Sequence, residues 1–256
     1  MVFDIQRASI WKRFAAWLLD VILLSILAAG VAFLLSLVFG YDAKLEAYQS
    51  IISEAGEKHG VDLSLSEQEI EALPEDVKAR YAAAYDDLNS NDEALRLLTL
   101  TVNLSLVITT AGILASYLIL EFFLPLFVFK NGRTIGKKVF SLALVRNNGV
   151  RINGPVLFIR TVLGKYAVET MIAAYIVIMF LFGRADLIMI ILFFLVPVIN
   201  LILLFATRNH TPIHDLLAGT VLIDFESQMI FDTEEDLIEY KKKAHGESVE
   251  NLREHP

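Results

Sequence analysis

The first long apolar run of the chain, Phe14 to Phe39, has 26 residues, one ionisable side chain inside it, Asp20, and Arg13 at its mouth. A bilayer core is crossed by about 20 apolar residues, so a run of this length commits the fold to lipid. Three more follow, Leu97 to Phe129, Tyr166 to Phe182 and Leu187 to Ala206. With 55% hydrophobic residues and a mean hydropathy of +0.56, the chain carries more apolar material than one soluble core uses. The first run exceeds the roughly 7 to 15 residues of a signal-peptide core, and no clear small-residue cleavage site precedes Tyr41, so it is expected as a retained helix. The predicted fold is an all-α membrane protein with four transmembrane helices.

Charge segregates between the connections. Between Lys130 and Lys165 there are eight Lys or Arg and no Asp or Glu, in a loop short enough for the positive-inside bias, which predicts a cytoplasmic loop. Residues 41–96 carry fourteen acidic and five basic residues and are expected on the opposite, extracytoplasmic side. Both termini are then cytoplasmic in a multi-pass plasma-membrane protein. The expected organisation is 1–40, N-terminus and first span; 41–96, acidic helical insert; 97–129, second span; 130–165, basic loop; 166–206, third and fourth spans; and 207–256, cytoplasmic motif and tail.

The insert reads as helices. Leu45, Tyr48, Ile51, Ile52 and Ala55 recur at helical spacing up to Gly60, Ser66 and Glu69 have the spacing of a capping box, and Pro74 opens a helix over Asp76–Leu88. Ser90 and Glu93 repeat the box ahead of the second span, which Pro125 should bend. The acidic residues are expected as a solvated helix face. In the basic loop, Ser141–Arg146, Asn147-Asn148-Gly149 and Val150–Ile152 predict a hairpin, a small cytoplasmic β element to which Thr220–Asp224 is a candidate third strand. Pro155–Gly164 is too short to cross and is expected as an interfacial helix with Arg160 at the headgroups. Beyond Glu226 the tail predicts a peripheral helix and disorder.

Polar groups inside the spans are the candidate site. At 1.5 Å per residue, Asp20 lies about 10 Å and Glu121 about 13 Å from the inner ends of their helices. Asn200 is similarly deep, and Glu169 sits one turn beyond Lys165. A charge at such depth costs roughly 2.5 to 3.5 kcal/mol, so Asp20, Glu121, Glu169 and Asn200 are expected to converge inside the bundle, as structural contacts or as a proton or cation pathway. Arg13 shares a face with Asp20, but helical side chains lean toward the N-terminus. Its expected partners are lipid phosphate or Asp215, the latter tying the first span to the helix after the fourth.

Several chemistries are set aside. Without cysteine there is no disulfide, thiolate catalysis or cysteine-bound metal. Gly132-Arg-Thr-Ile-Gly136-Lys137-Lys138 has one residue too few between its glycines, and no Ser or Thr after the lysine, for a P-loop. It joins Arg208 and His214 as a candidate cytoplasmic motif. His210 and His214 beside Asp215 admit a metal, but Thr211-Pro212 reads more simply as the start of a short helix ending at Gly219. No hydrolase pairing and no HExxH string occur, so neither an enzyme, a cofactor nor a nucleic-acid partner is expected.

Three strings carry a family likeness: Arg13-Phe-Ala-Ala-Trp-Leu-Leu-Asp20; Asn131-Gly-Arg-Thr-Ile-Gly-Lys-Lys138 leading to Val145-Arg-Asn-Asn-Gly149; and Thr211-Pro-Ile-His-Asp-Leu-Leu-Ala-Gly-Thr220. Over residues 7–40 and 97–224 the chain resembles the RDD family of small bacterial membrane proteins. The resemblance places the family's arginine and two aspartates on Arg13, Asp20 and Asp215. A few members are implicated in cation/proton antiport, so the resemblance implies an integral membrane protein with transport as one activity. The long acidic insert and the polar tail depart from the family pattern. Two functions are therefore expected. One is a proton-coupled monovalent-cation carrier, homo-oligomeric because four spans are few, with Asp20 and Glu121 titrating, Asn200 as a neutral ligand and Arg13 with Asp215 as an inner lock. The other is a non-transporting scaffold or assembly factor whose basic face meets anionic lipid and whose insert binds a protein.

Overall fold

The computed structural model describes residues 8–181, 186–207 and 210–254. Among the described residues four helices are long and apolar enough to span a membrane: Ile10–Phe39, Asp92–Val128, Gly154–Phe180 and Leu187–Ala206. A two-stranded sheet completes a mainly helical membrane fold. The first span is α1 (Ile10–Phe39). Its exposed Trp11, Phe14 and Trp17 suit the aromatic belt of a membrane boundary.

The chain divides into two compact units, one of residues 30–112 and one combining the start of the chain with everything after it. The 30–112 unit contains α2 (Tyr41–His59), α3 (Glu67–Glu71) and α4 (Glu75–Ser90). Helix α2 stops at Gly60, whose φ of 62° is the left-handed turn that glycine adopts without strain. Ser66 N–H donates to Glu69 Oε2 at 2.8 Å, the capping box of α3. Ala55, Tyr81 and Ala84 are buried where α2 packs on α4. Lys58 and His59 meet Asp87 at 2.5 and 2.7 Å across the same contact. The second span opens as α5 (Asp92–Tyr117). Its cap is Asn91, whose Oδ1 accepts from Glu93 N at 2.9 Å and Ala94 N at 3.1 Å. The expected cap, Ser90, is instead the last residue of α4, with its hydroxyl turned back to Asp87 O.

In the other unit, the second and third spans contain long stretches wound more widely than an α-helix, Leu118–Val128 and Ile159–Met171. The first holds Pro125 and ends with Phe129 N donating five residues back to Leu124 O. Such i→i+5 winding is uncommon and concentrates at functional sites. The third span starts at α7 (Gly154–Phe158), capped by Asn153 Oδ1 on Val156 N, and runs through the wide stretch into α8 (Ile172–Leu181). The separate interfacial helix expected over Pro155–Gly164 is thus the beginning of the third span, because Pro155 stands in a first turn and nothing after it breaks the winding. The fourth span is α9 (Leu187–Ala206).

Between the second and third spans come α6 (Ile135–Val139) and β1 (Leu142–Arg146); after the fourth come α10 (Ile213–Ala218), β2 (Thr220–Asp224) and α11 (Glu234–Glu254). Strand β1 pairs antiparallel with β2 from Leu142↔Asp224 to Arg146↔Thr220. The expected hairpin is reduced to one bridge, Val145↔Arg151. Both faces of β1 are apolar and buried: Leu142 and Leu144 pack with Ile152, Leu157 and Leu222, while Ala143 and Val145 pack with Val221 and Ile223. Thr220–Asp224 offers an apolar partner on both faces. Val150–Ile152 places Arg151 in its middle, and that residue pairs with Asp232 at 2.8 Å. Each buried aliphatic side chain is worth roughly 1.5 to 3 kcal/mol, which decides between the two partners.

Candidate functional site

Asp20 is met by the loop between the second and third spans, rather than by a donor on another span. Its carboxylate accepts a short hydrogen bond from Thr134 Oγ1 and one of 2.7 Å from Gly136 N. Thr134 is the N-cap of α6, so its oxygen also accepts from Lys137 N at 3.3 Å and Lys137 Nζ at 3.1 Å. One hydroxyl donor and two lone pairs are thereby all used. Gly136 makes the approach possible: a Cβ there would lie 2.2 Å from Ala16 O and 2.8 Å from Asp20 Oδ1. Non-helical backbone beside a spanning helix is tolerable because it is buried in protein.

The Lys137 side chain is 6% exposed, with Nζ 4.0 Å from Asp20 Oδ2 and 3.7 Å from Glu121 Oε2. Burial draws its pKa down to about 8, against the opposing pull of Glu121. Glu121 stands on the wide stretch of the second span. Its Oε1 takes a short bond from Lys165, and Thr161 Oγ1 donates to its backbone carbonyl at 3.2 Å. Its Oε2 is buried with no hydrogen-bond partner. Asp20 and Glu121 therefore share Lys137, and Lys165 balances Glu121 from the third span.

A second group of charges adjoins the first through Arg160. The Arg160 Nε donates to Asp215 Oδ1 at 2.6 Å, and Thr220 Oγ1 donates to the same oxygen at 2.8 Å. His214 Nε2 is 3.7 Å from Asp215 Oδ2, and its Nδ1 is 2.9 Å from Glu169 Oε1. Asn200 Oδ1 accepts from Ile213 N at 2.8 Å. Burial alone would raise the Asp215 pKa, but the Arg160 guanidinium, His214 and the hydrogen bonds hold it below the usual carboxylate range. Burial and then Arg160 push His214 below its ordinary value, outweighing Asp215 and Glu169. Gly164 lets the third span touch α10: a Cβ there would lie 2.6 Å from His214 Cβ.

The four deep polar residues accordingly fall into two clusters. Asp20 and Glu121 meet at Lys137; Glu169 and Asn200 meet at the start of α10. Two expectations are corrected. Arg13 does not pair with Asp215: its guanidinium donates to Ala8 O at 3.2 Å, His210 O at 2.9 Å and Leu222 O at 2.5 Å. Leaning toward the N-terminus carries it to the carbonyls before α1 and on β2. Arg160 does not reach the headgroups but is 3% exposed, because the helix carrying it continues into the bundle and faces α10. Gly132 is structural: it closes a left-handed turn with Lys130 and Asn131, φ 57°, 51° and 60° in chain order, and a Cβ there would strike Ile152 and Leu144 at 2.5 and 2.8 Å. Arg208 lies outside the described residues. His210 uses Nδ1 on Leu204 O at 2.6 Å, and among the described residues no three potential metal ligands gather.

Sequence reasoning missed Thr134, Lys165 and Thr220. Thr134 carried a signal, being a cap residue directly before a short helix. Lys165 and Arg160 are ionisable positions in an otherwise apolar stretch.

Residues 7–219 match the RDD family. No curated protein and no solved structure matches the chain. The matched span takes in the first two motif strings, the third up to Gly219, and most of the molecule, and on that ground the chain belongs to the RDD family.

Proposed function

We propose that this protein exchanges protons for a monovalent cation across the plasma membrane, working as a homo-oligomer without chemical conversion of a substrate. One observation carries the reading. Glu121 is 3% exposed, yet Oε2 has no hydrogen bond and faces only the shared Lys137 ammonium. A buried ion pair repays its desolvation fully only when its remaining lone pairs are satisfied, so the open acceptor leaves Glu121 able to take up another cation or a proton. Asp20, on the other side of the same ammonium, is the second exchange carboxylate. Asn200 and Glu169 line the path beyond it.

The 41–96 insert is external in this reading, and the 130–165 loop and both termini are cytoplasmic. Of the eight basic residues in that loop, Lys137, Arg160 and Lys165 belong to the buried network. Arg146 and Arg151 pair with Glu234 and Asp232. Arg133 lies over the Phe225 ring at 4.1 Å, which leaves Lys130 and Lys138, next to the end of the second span, to meet anionic lipid.

Purified protein in proteoliposomes under an imposed pH gradient should move sodium, lithium or potassium. If none moves, the scaffold reading replaces transport. The completeness of the Asp215 contacts favours that second reading, since Arg160 and Thr220 make α10 a fixed strut against the third span.

A further inference from the structure

We propose that the space filled by the Lys137 ammonium is itself a monovalent-cation site, where the lysine head stands in for a free cation of ammonium size held by Asp20, Glu121 and Thr134. Three oxygens from three segments surround Nζ: Thr134 Oγ1 at 3.1 Å, Glu121 Oε2 at 3.7 Å and Asp20 Oδ2 at 4.0 Å. Glu121 Oε2 accepts no hydrogen bond, and the ammonium at this position is its ion-pair partner. The lysine is hung from a five-residue helix in a loop. Two of the oxygens are carried by spans, so the cage does not depend on the lysine that fills it.

Charge balance selects the ligand class. Lys165 neutralises one of the two carboxylates, so removal of the Lys137 head leaves a single negative charge beside a gap lined by Leu23, Leu120 and Ile135. One unbalanced charge in apolar surroundings attracts a monovalent ion; a divalent ion would leave an uncompensated positive charge and pay a larger desolvation cost. As a step in translocation the site rests on the transport reading above. As a binding site it does not.

Lys137→Ala removes three methylenes and the ammonium, the outline of propylammonium, so chemical rescue tests the site directly. The detergent-solubilised variant should lose thermal stability and regain about half or more of the lost Tm, saturably, with propylammonium, and in part with ammonium or potassium. Wild type, whose own lysine fills that outline, should not respond to propylammonium. Tetramethylammonium, too large for the cage, and propanol, which lacks the charge, should not restore the variant. Equal responses to propylammonium and tetramethylammonium, or no saturable response, would overturn the proposal. If Lys137→Ala cannot be purified, Lys137→Ser is prepared with and without propylammonium; recovery of folded protein only with the amine supports the site, and equal recovery overturns it. Rescue without wild-type flux would leave the site and remove the transport reading. Flux without rescue would do the reverse.

Discussion

Arg160 and Asp215 are a buried pair with a 2.6 Å contact, and breaking such a pair from one side costs roughly 3 to 5 kcal/mol because the other charge is stranded. Arg160→Met and Asp215→Leu should each lower the Tm in detergent strongly, and the double variant should lose clearly less than the sum. Additive losses would show that the two residues do not act on one another. Arg13 belongs to a different device. It spends its guanidinium on three carbonyls, so exchanging it with Asp215 should recover nothing beyond the single changes. The sequence could place Arg13 and Asp215 near one boundary, but Arg160 competes for the same carboxylate. That competition depends on the third span starting at Gly154, twelve residues before its apolar run begins at Tyr166.

At the scale of elements, the spans were readable because length and apolarity alone specify them, and Gly60, Ser66 and Pro74 marked the helices of the insert. The pairing of β1 with β2 was not, because the partner strands are separated by two spans and a local Asn-Gly turn competes with it in the sequence. The return of α6 to Asp20 was equally hidden. Its cause, a glycine that lets a loop touch Ala16 O, is a matter of close approach rather than of pattern. Helix α10 is expected to carry a pH dependence just below neutrality. His214 is lowered by burial, so the unfolded chain takes up its proton first, at about pH 6.5. The stability it contributes is present above that pH and lost as pH falls through its folded value, and Asp215, also lowered, adds a loss of the same sign at lower pH. Thermal unfolding followed from pH 7.5 to 5 should show a falling limb that His214→Gln flattens. A limb of unchanged slope would remove His214 as its source.

For the whole molecule, the family match and the four spanning helices leave orientation and activity to be measured. Single cysteines at Ser64 and Asn148, both exposed, should label oppositely with an impermeant thiol reagent on intact cells, with 64 reactive and 148 protected. The reverse pattern would invert the topology. The central claim, that Asp20 and Glu121 act as one exchange site through Lys137, places different demands on the two carboxylates. Glu121→Gln strands Lys165 and should cost stability. Asp20→Asn keeps an oxygen for Gly136 N and should be the milder change. The decisive measurement is therefore pH-driven cation flux in proteoliposomes reconstituted with equal amounts of folded wild-type and Asp20→Asn protein. The wild type should exchange and the variant should not, at comparable thermal stability. Wild-type rates in the variant would contradict the shared exchange site.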